Sequence, residues 1–328
     1  MRVRATVKVM KAMVKKRLSG LLPGAALAVS CTLTPASAAD KVTFLTSWFA
    51  QAEHGGFYQA KATGLYEKAG LDVTIKMGGP QVNGTQLLLA GDADFIMGYD
   101  IQVLKGREQK LPLVTVASSF QFDLQGIMTH DDVADLTALK GRPVLIAGSS
   151  RVTFWPWLRA KYGYTDDQIR PYTFNLQPFF VDKTIAQQGY LSSEPYQALQ
   201  QNEKVKFFLF ADGGYPPYGS TIVTTEKMIA ERSNVVARFV KASLEGWRDY
   251  MKTPAPGNAL IKADNPKMTE TKAVDGGDAA KLGIGIITAD RYKQIYDFLV
   301  AGELLDPKTE WQKAIDDRFV RDLKIGVK

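Results

Sequence analysis

Residues Phe44–Ile75 read FLTSWFAQAEHGGFYQAKATGLYEKAGLDVTI. The alternation of Val42, Phe44 and Thr46 predicts a strand over Lys41–Thr46. A loop carrying Trp48 and His54 follows. The next helix places Tyr58, Ala62, Leu65, Tyr66 and Ala69 on one face. Gly70 stands where a left-handed glycine closes a helix, and Leu71–Met77 predicts a second strand. Strand, helix and strand in this order make a parallel pair with a right-handed crossover. The loop leaves the carboxyl end of the first strand, where open α/β sheets hold ligands. It also abuts helical N–H groups that lack partners. An aromatic and a histidine there point to a small polar molecule.

The rhythm continues outward. Gly78-Gly79-Pro80 is a turn, and Asn83 caps a helix through Ala90 that Gly91 stops. Asp92–Gly98 is a third strand ending at Tyr99-Asp100. A short helix reaches Gly106, and Leu111–Ser118 is a fourth strand. A second α/β pattern begins near Leu124. Asp135–Gly141 is a short helix and Arg142–Gly148 a strand. Ser149–Thr153 opens a helix to about Tyr162 with Pro156 in its first turn. Thr165 and Gln168 form a capping box. Lys183–Gln188 is predicted as helix, Gly189–Leu191 as strand, and Glu194-Pro195-Tyr196 opens the next helix. Val205–Phe210 and Thr221–Thr224 are strands around the stiff turn Tyr215–Gly219. Glu226–Glu231 and Asn234–Met251 are helices, with more helix beyond the Pro-rich break at Thr253–Gly257. The expected fold is α/β, with two lobes of mostly parallel sheet joined by a two-strand hinge. Residues 39–122 plus 222–328 form one lobe and 123–221 the other.

The chain has 328 residues and a formal net charge of +7. Seven basic residues and no acids lie in residues 1–38 (Arg2, Arg4, Lys8, Lys11, Lys15, Lys16, Arg17). The remainder carries 34 basic and 34 acidic residues. The charge therefore belongs to the leader, and nothing supports a nucleic-acid partner. The leader reads as a cleavable secretory signal: a basic start, the apolar run Leu21–Leu33, and Ala36-Ser37-Ala38 before the cut. The apolar run is shorter than the roughly 20 residues a membrane span needs. Cys31, the one cysteine, sits inside the leader; Ala28-Val29-Ser30 before it fits a lipoprotein signal poorly. The mature chain then has no disulfide, thiol nucleophile or thiolate metal site. A periplasmic location is expected. Neither G-x-G-x-x-G nor G-x-x-x-x-G-K-[ST] occurs around Gly55-Gly56.

Trp48, His54, Gln59-Ala60-Lys61, Gly64, Tyr66 and Gly70-Leu71-Asp72, continued by DADFIMG, Val114–Ser118, DLTALKG and Glu194-Pro195-Tyr196, carry a resemblance. The chain resembles the thiamine-pyrimidine-synthase-like (SsuA-like) periplasmic binding proteins over most of its mature length. The resemblance implies a type II periplasmic binding fold and a receptor for an ATP-driven (ABC) importer. Its partners would be a small-molecule ligand and an inner-membrane permease, with the receptor a monomer. Some members bind a pyrimidine precursor of thiamine. Eukaryotic relatives instead make that pyrimidine from their own histidine and pyridoxal phosphate, using a cysteine-rich iron motif. This mature chain has no cysteine, so binding without a cofactor is expected.

Trp48 either stacks a flat ligand ring or packs in the core. His54 bonds the ligand, as the resemblance implies, or bonds backbone at the helix start. No metal set includes it, because His130, the other histidine, lies in the other lobe. Tyr99 ends a strand, and Asp100 pairs with an exocyclic amine or caps a helix. Gln121, between Phe120 and Phe122, faces the cleft or the hinge. Ser149, Ser150, Arg151 and Thr153 form a polar loop that suits an anionic group or serves as a plain cap. Related receptors place an acid where Glu194 stands, to accept N–H bonds from an aminopyrimidine; a helix-start Glu also suits the dipole. Tyr196 is a cleft-wall candidate. Three functions compete: a receptor for a heteroaromatic (pyrimidine or flavin), a receptor for a sulfonate, nitrate or similar anion, and a secreted enzyme. The enzyme is disfavoured because two histidines leave little general-base material.

Overall fold

The computed structural model describes residues 38–79, 82–191, 193–266, 284–301 and 304–325. The expected leader lies outside the described residues. Two five-stranded sheets organise the chain. The first has the order β2-β1-β3-β10-β4, with β1 at Asp40–Leu45, β2 at Leu71–Lys76, β3 at Phe95–Gly98, β4 at Leu113–Phe120 and β10 at Gly219–Thr225. The second has the order β7-β6-β8-β5-β9. Its strands are β5 (Gln125–Thr129), β6 (Val144–Ile146), β7 (Ile169–Pro171), β8 (Ala186–Tyr190) and β9 (Lys206–Leu209).

Both sheets are mixed. The strands that βα crossovers link run parallel: β1 with β2 and β3, and β6 with β7 and β8. The strands next to the passages between sheets run against their neighbours. Thus β10 is antiparallel to β3 and β4, and β5 is antiparallel to β8 and β9. The chain passes from β4 to β5 through Gln121–Leu124 and returns from β9 to β10 through Phe210–Tyr218. The two-lobed α/β architecture is the expected one, with the sheets mixed where mostly parallel ones were expected, because the strands beside the passages must run back.

The helices of the first lobe are α1 (Gly55–Ala62), α2 (Leu65–Lys68), α3 (Gly84–Ala90), α4 (Asp100–Glu108), α8 (Glu226–Tyr250), α9 (Ala255–Asp264) and α10 (Ala289–Ala301). The single helix expected after His54 is in fact two, α1 and α2. Gly64 adopts φ +70° between them, a conformation that costs a side-chain-bearing residue energy. The pair of helices expected over 226–251 is one element with Arg232 out of helical geometry (φ −134°), close to the expected break. Burying the apolar stripe of α8 on the sheet joins Phe44, Phe57, Tyr66, Phe95 and Phe239 in one fully buried aromatic core. Phe95 and Phe239 stack at 4.2 Å, and Tyr66 stacks on Phe239 at 5.5 Å.

The second lobe carries α5 (Trp155–Tyr162), α6 (Gln177–Val181) and α7 (Glu194–Gln200). Residues 183–188, expected as helix, run instead into strand β8. Its central position in the sheet, between β6 and β5, overrides the weak helical pattern of Lys183–Gln188. The 3-10 turn Gly148–Val152 precedes α5, so the helix begins later than expected, with Pro156 in its first turn. Among the described residues no helix is long and apolar enough to cross a membrane.

Candidate ligand-binding site

A cavity of about 420 Å3 opens between the two sheets. The first lobe lines it with the end of β1 and the following loop (Thr46, Ser47, Trp48, Gln51, Glu53), the start of α3, and the β3–α4 junction (Tyr99, Gln102). The second lobe contributes Gln125, Ser150, Thr153, Tyr172, Phe174, Gln188, Tyr190 and Glu194. The carboxyl ends of the parallel strands β1, β3, β6, β7 and β8 thus converge on one space, as open α/β sheets do.

Aromatic rings close the rim. The Trp48 ring meets Phe174, from the opposite lobe, edge-on at 5.7 Å and 69°. It meets its neighbour Phe49 at the same distance and angle. Phe174 holds a left-handed backbone, φ +65°, which is strained for an aromatic residue. Deeper in, Glu194 is 4% exposed and both its oxygens are engaged. Oε1 accepts the Tyr172 hydroxyl at 2.7 Å, and Oε2 accepts the Tyr190 backbone N–H at 2.7 Å. Each oxygen keeps lone-pair capacity for a ligand. Burial raises the Glu194 pKa above the usual carboxylate range, against those two bonds. Glu53 is also buried, and its Oε2 has no hydrogen-bond partner. Desolvation, with the Glu194 charge adding to it, pushes the Glu53 pKa up to about 7. No Lys, Arg or His is present among the described lining residues.

Five of the candidate residues meet in this cavity: Trp48, Tyr99, Ser150, Thr153 and Glu194. The others, Ser149 apart, stand elsewhere. His54 is fully buried outside the lining. Its Nδ1 accepts the Gln51 backbone N–H at 3.2 Å, the helix-start alternative, and burial lowers its pKa to about 3, so it stays neutral. Asp100 is fully buried and ties the β3–α4 junction to the return passage: Oδ1 accepts the Ile101 N–H at 2.9 Å and Oδ2 the Tyr218 N–H at 2.8 Å. Gln121 belongs to the passage packing, since its Nε2 donates to the Ile286 carbonyl at 3.0 Å. Arg151 is exposed and Tyr196 half-buried on α7, neither in the lining. The Ser149 side chain lies outside the described residues. Among the described residues no group of three or more His, Cys, Asp or Glu is placed to hold a metal ion.

Sequence reasoning passed over Glu53, Tyr172, Phe174, Gln188 and Tyr190. Glu53 had an available signal, an acid in the same short loop as Trp48 and His54. The second-lobe residues had none. Tyr172 and Phe174 follow β7, a three-residue strand without alternation; Gln188 lies on the part of β8 that resembles a helix in sequence, and Tyr190, within the expected strand Gly189–Leu191, carries nothing that marks it for the site.

The chain is 26% identical over 251 residues to a formylaminopyrimidine-binding protein of Halalkalibacterium halodurans, covering 73% of this chain and 76% of that one. It is 24% identical over 303 residues to the riboflavin-binding protein RibY of Chloroflexus aurantiacus, covering 86% of each. A Candida albicans gene product described as having the generic periplasmic binding protein fold superposes with a TM-score of 0.59. It is 15% identical, covering 85% of this chain and 96% of that one. The family described as NMT1/THI5 like matches residues 51–256, well over half of the chain. The chain belongs to that family.

Proposed function

We propose that this protein is an exported receptor whose two lobes hold a small flat nitrogen heterocycle and present it to an inner-membrane ABC importer. The favoured ligand is a pyrimidine of the thiamine-precursor kind. The carrying observation is the chemistry of the cavity wall: aromatic rings, amides, hydroxyls and two carboxylates, with no basic side chain among the described residues. Ring faces and edges suit a flat ligand, and carboxylates accept N–H bonds. A sulfonate or nitrate would meet two acids and no cation, a costly arrangement. The exposed Arg151 leaves the polar loop at residues 149–153 without its cation.

The formylaminopyrimidine-binding relative supports a pyrimidine. The riboflavin-binding relative, which covers more of the chain, supports a flavin as the second reading, because a flavin offers a similar hydrogen-bonding edge. The ligand is carried unchanged in this reading. His130 is committed to Glu203 and the Phe179 carbonyl, and His54 lies outside the lining, neutral by burial. The leader serves export, and the lobes divide at the two passages, Gln121–Leu124 and Phe210–Tyr218, rather than at residue 222, which lies within β10; these passages are the hinge, so that closure gives the bound state its advantage.

Native mass spectrometry of the protein purified from its source tests the assignment. A co-purifying aminopyrimidine supports it, a flavin supports the second reading, and a sulfonate overturns both. Trp48→Ala is expected to weaken heterocycle binding by more than about tenfold, roughly 1.4 kcal/mol, with little change in melting temperature. Wild-type affinity in a fluorescence titration of this variant would remove Trp48 from the site.

A further inference from the structure

Glu53 is not explained by the fold. It sits in the 3-10 turn Ala52–His54 that starts α1, where its own backbone N–H acts on the carboxyl, yet Oε2 has no partner. It is 8% exposed and lines the cavity. A buried carboxylate oxygen without a donor is costly unless a ligand supplies one. The groups around it are acidic or neutral. Glu194 acts on it from the head of α7, and its own charge acts on Tyr99 at the β3–α4 junction and on Tyr190 of β8. His54, next in the chain, is held neutral by burial. No basic group acts on Glu53 from any of these elements.

We propose that Glu53 is a ligand-contacting residue and that, with Glu194 across the cavity, it selects a flat ligand bearing a positive charge and N–H donors, an amidinium-type edge such as a protonated aminopyrimidine presents. The inference rests on the heterocycle reading above and adds the charge of the ligand. One N–H of such an edge satisfies the orphaned Oε2, and its charge offsets the mutual repulsion of the two acids. An anion would worsen that repulsion, and a neutral ring would leave it in place.

Three flat probes of equal size separate these cases: benzamidine, which stays cationic over the range used, neutral benzamide, and anionic benzoate. Calorimetric competition against formylaminopyrimidine measures each. At about pH 8 benzamidine is expected to bind at least roughly tenfold tighter than benzamide, and benzoate not at all. Because Glu53 titrates near 7, benzamidine affinity falls as pH drops from about 8 to about 5.5. Glu53→Gln reduces both the preference and the pH dependence, leaving only the part that Glu194 supplies. Glu53→Asp keeps the charge and so the pH dependence, with weaker binding. A benzamidine preference that Glu53→Gln leaves intact overturns the proposal. So does equal binding of benzamide, or failure of benzamidine to bind while formylaminopyrimidine binds; those results leave the receptor reading standing. Failure of formylaminopyrimidine itself to bind overturns the pyrimidine reading and the proposal together.

Discussion

Gly246→Ala should destabilise the protein by roughly 3 kcal/mol or more, although it adds one methyl group. Gly246 lies where α8 crosses α1. A Cβ there would sit 2.2 Å from the Gly56 carbonyl oxygen and 2.7 Å from Ala60 Cβ. The obstacle is helix backbone, which no rotamer change relieves. The contact is reciprocal: a Cβ on Gly56 would enter the Trp247 ring at 2.1 Å, and one on Gly55 would reach the Tyr250 ring at 2.2 Å. The two helices must therefore separate, and α1 carries the Trp48–Glu53 loop at its head. The urea midpoint of the ligand-free variant measures the loss. Gly148→Ala is the control, since its Cβ meets nothing within 4 Å at an exposed position, and it should fall within about 0.5 kcal/mol of wild type. A wild-type midpoint for Gly246→Ala would show that the helices do not approach this closely.

The ligand-free protein should also lose stability as pH rises from about 5 to about 8, and Glu53→Gln should recover much of it. Burial raises Glu53 from 4.5 to about 7, and Asp100 and Asp123 from 3.8 to about 7. Asp123 sits at the first passage, bonded to the Gln125 N–H and side-chain amide. These groups keep their protons in the folded state at pH values where the unfolded chain has lost them. Their contribution is therefore complete below the unfolded pKa and gone once pH passes the folded one. For Glu53 alone the shift corresponds to about 3 kcal/mol. A neutral glutamine resembles the protonated acid, so the variant should match wild type near pH 5 and exceed it near pH 8 by about that amount. Melting curves at the two pH values decide it. A wild-type melting temperature that rises with pH, or a glutamine variant no better at high pH, would place Glu53 in contact with water or a cation.

Local chemistry made elements of both lobes readable from sequence. The Asn83 cap accepts the Gln86 N–H, Thr165 and Gln168 form their capping box, and Pro156 falls in the first turn of α5. Each is decided within a few residues. Three strands of the second sheet are decided by distant partners. Thus β8 forms because β5 and β6 flank it, and β5 and β7 carry too little alternation to announce themselves. The site divides along the same line. Trp48 and Glu194 stand at element ends, which sequence marks well, and both reach the cavity. His54 and Asp100 also stand at element ends, but their side chains turn to backbone N–H groups. A strand end shows where a side chain starts, not whether a local donor captures it. Glu53 lines the cavity where His54 does not, and no local donor reaches its Oε2.

The most direct measurement is isothermal titration of the protein with formylaminopyrimidine, riboflavin and taurine in parallel. Saturable one-to-one binding of the aminopyrimidine, with no heat from taurine, is the expected result. Saturable taurine binding without a response to either heterocycle would contradict a cavity built from rings and acids.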